Sequence, residues 1–253
     1  MTGWSLDLIP RRHSMRNSNW ITSTLAALAL STAMPAALAD EATTEVATTP
    51  AVEGTVLGDV VLGSEDAPIT IIEYASITCP HCAHFHEEIM PVIQERIDQG
   101  QVKFIFRDFP TPPAEIAMAG FALARCSGED NYYAVLDKFF TNQTEMFDSL
   151  RNGTVGTFFT DLAANHGVDE ATFDACLSDR LLFESMVDII TAGQEAGVAS
   201  TPTVFLNGTQ LTSETRTAES MAAAIDAALG IEPSSESVDA EISPEEEASV
   251  PAE

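Results

Sequence analysis

The chain has 253 residues, enough for one large domain or two small ones, and 45% are hydrophobic, an ordinary level for a soluble core. Its formal net charge of −28 at pH 7 argues against nucleic acid or an anionic membrane as partner, because phosphates would be repelled. Four cysteines, Cys79, Cys82, Cys126 and Cys176, make compartment and redox state the next questions.

Residues 1–39 read as an export signal. Arg11, Arg12 and Arg16 form a basic start, an apolar run extends from about Ile21 to Leu30, and Ala37-Leu38-Ala39 supplies a small-x-small cleavage site before Asp40. The rival reading is a membrane anchor, but the run is shorter than the ~20 residues a spanning helix needs. Arg11-Arg12 is a faint twin-arginine signal, and a start at Met15 would remove it. The expected location is the periplasm. Residues 40–55, rich in Ala, Thr and Glu, read as a flexible linker.

Val56 to Leu62 predicts a first strand, with a turn at Gly63-Ser64-Glu65-Asp66. Ile69-Thr70-Ile71-Ile72-Glu73-Tyr74 is mostly β-branched and apolar and suits a buried strand. After Cys79-Pro80-His81-Cys82, Phe85, Ile89, Ile93 and Ile97 repeat at four-residue spacing and form one apolar helix face, which Pro91 should kink. Val102 to Phe106 predicts a second core strand, ended by Pro110, Pro112 and Pro113. The next stretch holds little strand signal: Ala114 to Cys126, Tyr132 to Phe140, Val155 to His166, Glu170 to Leu177 and Leu181 to Ala196 all read as helices. Thr203 to Leu206 predicts a strand, Asn207-Gly208 a hairpin turn, and Thr209 to Leu211 the return. Thr217 to Leu229 predicts a closing amphipathic helix, and the acidic residues 231–253 a disordered tail.

The chemistry concentrates at Cys79-Pro80-His81-Cys82. Pro80 suits the first helical position, so Cys79 falls at a helix N-terminus, where unpaired N–H groups and the helix dipole stabilise a thiolate. Cys82 lies three residues on, within reach of a disulfide, and His81 offers a further donor or charge. Such a thiolate favours the reduced form, so the disulfide form oxidises other proteins. Structural zinc is the alternative, with Cys79, Cys82, His84 and His86 as ligands, although His84 points away from the face shared by Cys82 and His86. Otherwise His84 and His86 read as solvated helix residues. A c-type haem is disfavoured because Ala83 follows Cys82.

This motif after such a strand resembles the active site of the DsbA-like branch of the thioredoxin superfamily. A second match, Gly197-Val198-Ala199-Ser200-Thr201-Pro202-Thr203-Val204-Phe205-Leu206-Asn207-Gly208, resembles the segment carrying that superfamily's cis-proline. The resemblance covers about residues 56–230 and implies an α/β thioredoxin fold with an inserted helical domain at about 114–196. It implies an exported thiol:disulfide oxidoreductase that exchanges disulfides at Cys79 and Cys82, with no cofactor. Its partners would be unfolded or reduced secreted proteins, and a membrane redox protein would reoxidise it. Pro202 would be cis and, with Thr201, would shape the substrate groove. Thr201 replaces the valine usual in enteric DsbA proteins and also occurs in disulfide isomerases, so isomerase or reductase is the alternative activity, with a metal-binding module behind it. Glu73 either faces water on an edge strand or, as the resemblance implies, is a buried acid relaying protons beneath the dithiol. Cys126 and Cys176 are either buried free thiols or, as expected of an exported protein, a structural disulfide.

Overall fold

The computed structural model describes residues 56–212 and 217–231. The expected export signal, the linker and, beyond Ile231, the acidic tail lie outside the described residues. Strands β1 (Val61–Leu62), β2 (Ile69–Ala75), β3 (Val102–Asp108), β4 (Thr203–Leu206) and β5 (Thr209–Gln210) form one mixed sheet in the order β1-β3-β2-β4-β5. β2 runs parallel to β3, with Glu73 opposite Phe106, and antiparallel to β4, with Glu73 opposite Val204. β2 is therefore the central strand, which accounts for the burial of all its residues but Thr70 and Ile72, which are half-buried.

The helices are α1 (Pro80–Glu88), α2 (Met90–Asp98), α3 (Ala114–Cys126), α4 (Glu129–Thr141), α5 (Gln143–Arg151), α6 (Val155–Asn165), α7 (Glu170–Leu177), α8 (Arg180–Glu195) and α9 (Ala218–Leu229). Side chains alternate across the sheet. Ile69, Ile71, Glu73 and Ala75 share one face of β2 with α1, whose His86 meets Phe104 and Phe106 of β3. Tyr74 points to the other face, toward Phe109 and Phe205. There α8 presses so close that a Cβ on Gly193 would sit 2.6 Å from the Tyr74 ring. Thus α8, expected within the helical insertion, closes the second face of the sheet.

Pro91 does more than bend its helix. α1 ends at Glu88, Ile89 caps it, and α2 restarts with Pro91 in its first turn. Pro91 has no N–H for the helical ladder, and its ring displaces the carbonyl four residues back. The Asn207-Gly208 turn has φ of 47° and 80°, the left-handed pair that a two-residue hairpin requires. α9 opens on a capping box in which Thr217 and Ser220 satisfy each other's backbone N–H.

Two elements depart from the periodicity. The first strand shrinks to Val61–Leu62, because the residues before it are held by Arg125 instead. Val56 N–H donates to the Arg125 carbonyl at 3.1 Å, and the Arg125 guanidinium donates to the Val56 and Gly58 carbonyls at 3.2 and 2.9 Å. The same buried guanidinium pairs with Asp108 at 2.8 Å, which compensates two charges removed from water. Helix α5 escapes the pattern because it is nine residues long and its apolar side chains are only Met146, Phe147 and Leu150, too short a stripe to mark a helix by periodicity. Finally, a disulfide joins Cys126 at the end of α3 to Cys176 in α7, with Cα atoms 6.3 Å apart and a sequence separation of 50.

Candidate active site

Cys79 is the N-cap of α1. Its backbone is extended (φ −92°, ψ 119°), and Pro80 occupies the first helical turn, so the free N–H groups of that turn face the sulfur. A buried hydroxyl cluster fixes the approach to this turn. Ser76 Oγ lies 2.9 Å from Thr78 Oγ1 and accepts from Thr111 N–H at 3.1 Å, while Thr78 Oγ1 donates to the Thr111 carbonyl at 2.8 Å. From the helical insertion, Gln143 Nε2 donates to the Ile77 carbonyl at 2.8 Å and to the Cys79 carbonyl at 3.1 Å. The loop carrying the reactive sulfur is therefore clamped from two sides.

The two cysteines are free thiols in very different surroundings. The Cys79 pKa is lowered from its ordinary 9.0 to about 5. The Cys82 thiol, hydrogen-bonded to the Cys79 sulfur, is the largest cause; burial opposes it; the Thr201 hydroxyl and the backbone N–H groups of Cys82 and His81 add to it. As a thiol, Cys79 Sγ instead donates to the Thr201 carbonyl at 3.5 Å, a contact that ionisation exchanges for donors. Cys82 is fully buried. Burial, its hydrogen bond to Cys79 and the charge of Glu73 push its thiol far above the ordinary range, against one N–H from Ser76 at 3.5 Å. The pair thus consists of one stable thiolate and one obligate thiol.

The expected residues converge. Cys79 is only 7% exposed, because the Thr201-Pro202 turn lies over it. His81 meets the Cys79 sulfur with its backbone N–H, and its exposed imidazole makes no hydrogen bond to a described residue. His86 is no solvated residue: its side chain is 12% exposed, Nε2 lies 2.9 Å from Glu73 Oε2, and its ring stacks on Phe140 with centroids 3.9 Å apart. His84 is exposed.

Glu73 is completely buried in the central strand, which removes the edge-strand reading. The Thr201-Pro202 bond is cis, and Pro202, Phe85, His81, His84 and Ile89 line a small cavity. The four proposed zinc ligands do not assemble. Among the described residues, the one group of three or more metal-ligating side chains with converging atoms is His84, Glu87 and Glu88, all exposed. His86 is turned inward to Glu73 instead.

Gln143, Ser76 and Thr78 were not legible as site residues, since nothing local marks a side chain whose partners lie dozens of positions away. His86 did carry a signal: it sits one helical turn after Cys82, on the same face.

The comparisons with known proteins agree with this geometry. A family model described as thioredoxin matches residues 55–227. A Rickettsia bellii protein called a putative protein-disulfide oxidoreductase is 31% identical over 175 residues, which are 68% of this chain and 64% of that protein. The chain thus spans a little under two thirds of that relative's length. Disulfide bond formation protein D of Bacillus subtilis is 30% identical over 155 residues, 59% of this chain and 68% of that one. Among solved structures, Wolbachia pipientis alpha-DsbA1 superposes with a TM-score of 0.60 at 26% identity, covering 68% of this chain and 91% of that one. With a thioredoxin-like sheet, a helical insertion and a Cys-x-x-Cys pair at the first turn of α1, the chain belongs to the thioredoxin family as a DsbA-like member.

Proposed function

We propose that the protein is an exported thiol:disulfide oxidase that introduces disulfides into reduced secreted proteins. One observation carries the reading: the Cys79 sulfur caps a helix N-terminus and is hydrogen-bonded by the thiol of the fully buried Cys82, a setting that lowers its pKa and raises that of its partner. A low-pKa thiolate is a good leaving group and a stable product, so the pair releases its disulfide to a substrate readily.

In this mechanism a substrate thiolate attacks Cys79 Sγ of the Cys79–Cys82 disulfide. The electron pair of that bond goes to Cys82, and a mixed disulfide forms. A second substrate thiolate then attacks the substrate sulfur and expels Cys79 as a thiolate. The cis Thr201-Pro202 turn presents its backbone to an extended substrate chain, Glu73 manages the proton of Cys82, and the Cys126–Cys176 bond is structural. A membrane redox protein in the periplasm takes the electrons from the reduced pair, and the domain spans about 56–230, with the helical insertion at about 114–196. The acidic charge is compatible with protein partners and unfavourable to nucleic acid. Among the described residues, no helix is long and apolar enough to cross a membrane.

The equilibrium of the Cys79–Cys82 pair with glutathione tests the assignment. A potential well above that of thioredoxin, about −270 mV, is expected. A value near thioredoxin's would assign a reductase instead.

A further inference from the structure

Oxidising a substrate leaves one proton to be delivered to a sulfur that water does not reach. When the Cys79–Cys82 bond opens, its electrons land on Cys82, whose thiol holds its proton far above neutral pH. Cys79 leaves later as a thiolate and needs none. Cys82 has no exposed surface, and the side-chain charge that acts on it most is that of Glu73.

Glu73 is itself enclosed. Its Oε1 has no hydrogen-bond partner among the described residues, and its Oε2 lies 2.9 Å from His86 Nε2. His86 is the member of this group that reaches outward, into an open cavity of about 280 Å³ between α1, the end of α4 and the start of α5. Stacking on Phe140 and edge contacts with Phe104 and Phe106 fix its ring. The titratable groups facing it are Glu73 from β2, Glu87 from its own helix and Asp137 from α4; α5 offers the neutral Gln143 and Thr144, β3 offers only the two phenylalanine rings, and Tyr133 of α4 lies within the field of Glu73.

We propose that His86 is a positioning residue for dithiol exchange: it passes protons between the cavity beside α4 and Glu73, so that the buried acid can supply and recover the proton of Cys82. The inference rests on the oxidoreductase reading above. The substrate sulfur bonds to Cys79, the Cys79–Cys82 bond breaks with its electrons on Cys82, a proton moves from the Glu73 carboxyl to Cys82 Sγ, and His86 restores one to Glu73 from water in the cavity. After the second thiolate attack the substrate has lost two electrons, and the pair has gained two electrons and one proton. Imidazole suits this role because its two nitrogens can take up and release protons on opposite sides.

The test uses the full chain with His86→Ala and His86→Phe. Oxidised protein is mixed with dithiothreitol at pH 7, quenched in acid, alkylated and counted by mass spectrometry. Both variants should be reduced about 10²-fold more slowly, the low end of what a positioned proton-transfer group contributes. Added imidazole should restore the rate of His86→Ala in a saturable way and leave His86→Phe, whose ring fills the space, unchanged. The Cys79 thiolate, followed by its absorbance near 240 nm, should titrate as in the unmodified protein. Unchanged rates in both variants overturn the proposal, and so does a slow His86→Ala that imidazole does not restore, which would make the role structural. If the unmodified protein itself fails to exchange disulfides, the oxidoreductase reading fails with it; if it exchanges and the variants match it, only the role of His86 fails.

Discussion

The acidity of Cys79 should appear as a pH-dependent stability difference between the reduced and oxidised protein. In the unfolded chain the thiol titrates at its ordinary 9.0, and in the folded chain at about 5. The folded pKa is the lower one, so the stabilisation is complete above pH 9 and disappears as pH falls through 5. Between these limits the unfolded state holds a proton that the folded state has released, and the unfolding free energy rises by about 1.4 kcal/mol per pH unit. The reduced protein therefore gains about 2 kcal/mol between pH 5 and pH 7 that the oxidised protein does not. The cumulative gain at pH 7 is about 3 kcal/mol, equivalent to about 60 mV of added oxidising power for a two-electron couple. Cys82 does not interfere: its folded pKa is raised, and its unfolded thiol ionises only near 9. The other titratable groups are present in both forms, so the difference isolates what the dithiol changes. Urea unfolding followed by far-ultraviolet circular dichroism, on both redox forms at pH 5, 6 and 7, measures it. Reduced Cys79→Ser should follow the pH slope of the oxidised protein. Parallel slopes for the two redox forms of the unmodified protein would refute the stabilised thiolate and, with it, the source of the driving force.

Two further substitutions separate stability from chemistry. Replacing both Cys126 and Cys176 by Ser should cost about 4 kcal/mol in denaturant unfolding, the loop-closure value for a 50-residue separation, and leave the rate of exchange at Cys79 unchanged. Gln143→Leu removes the donor to the Ile77 and Cys79 carbonyls; it should lower stability by about 1–3 kcal/mol and move the Cys79 titration, read at 240 nm, toward the ordinary thiol range as the loop relaxes.

Local rules carried far in this chain. The β-branched run from Ile69, the Pro80 helix start, the Asn207-Gly208 turn and the apolar faces of α3, α4, α6, α7 and α9 are short-range patterns, and each element formed where its pattern lies. The failures share a cause. α5 has too short an apolar face to announce itself, and the first strand was shortened by Arg125, which claims the carbonyls of Val56 and Gly58, 69 and 67 positions earlier. Both outcomes depend on what else is near.

The order of residues alone determined that a dithiol sits at the start of a helix, because strand propensity, proline geometry and helix spacing all act within a few positions. Only the tertiary structure decided what surrounds that dithiol. Closing the sheet as β1-β3-β2-β4-β5 put Thr201 against a sulfur 122 residues earlier and enclosed Glu73 in the central strand. It also turned His86 from a surface position into a half-buried partner of Glu73. The electrostatics of a buried group depend on every element packed around it, and strand order, set by burial across the whole domain, fixes which elements those are.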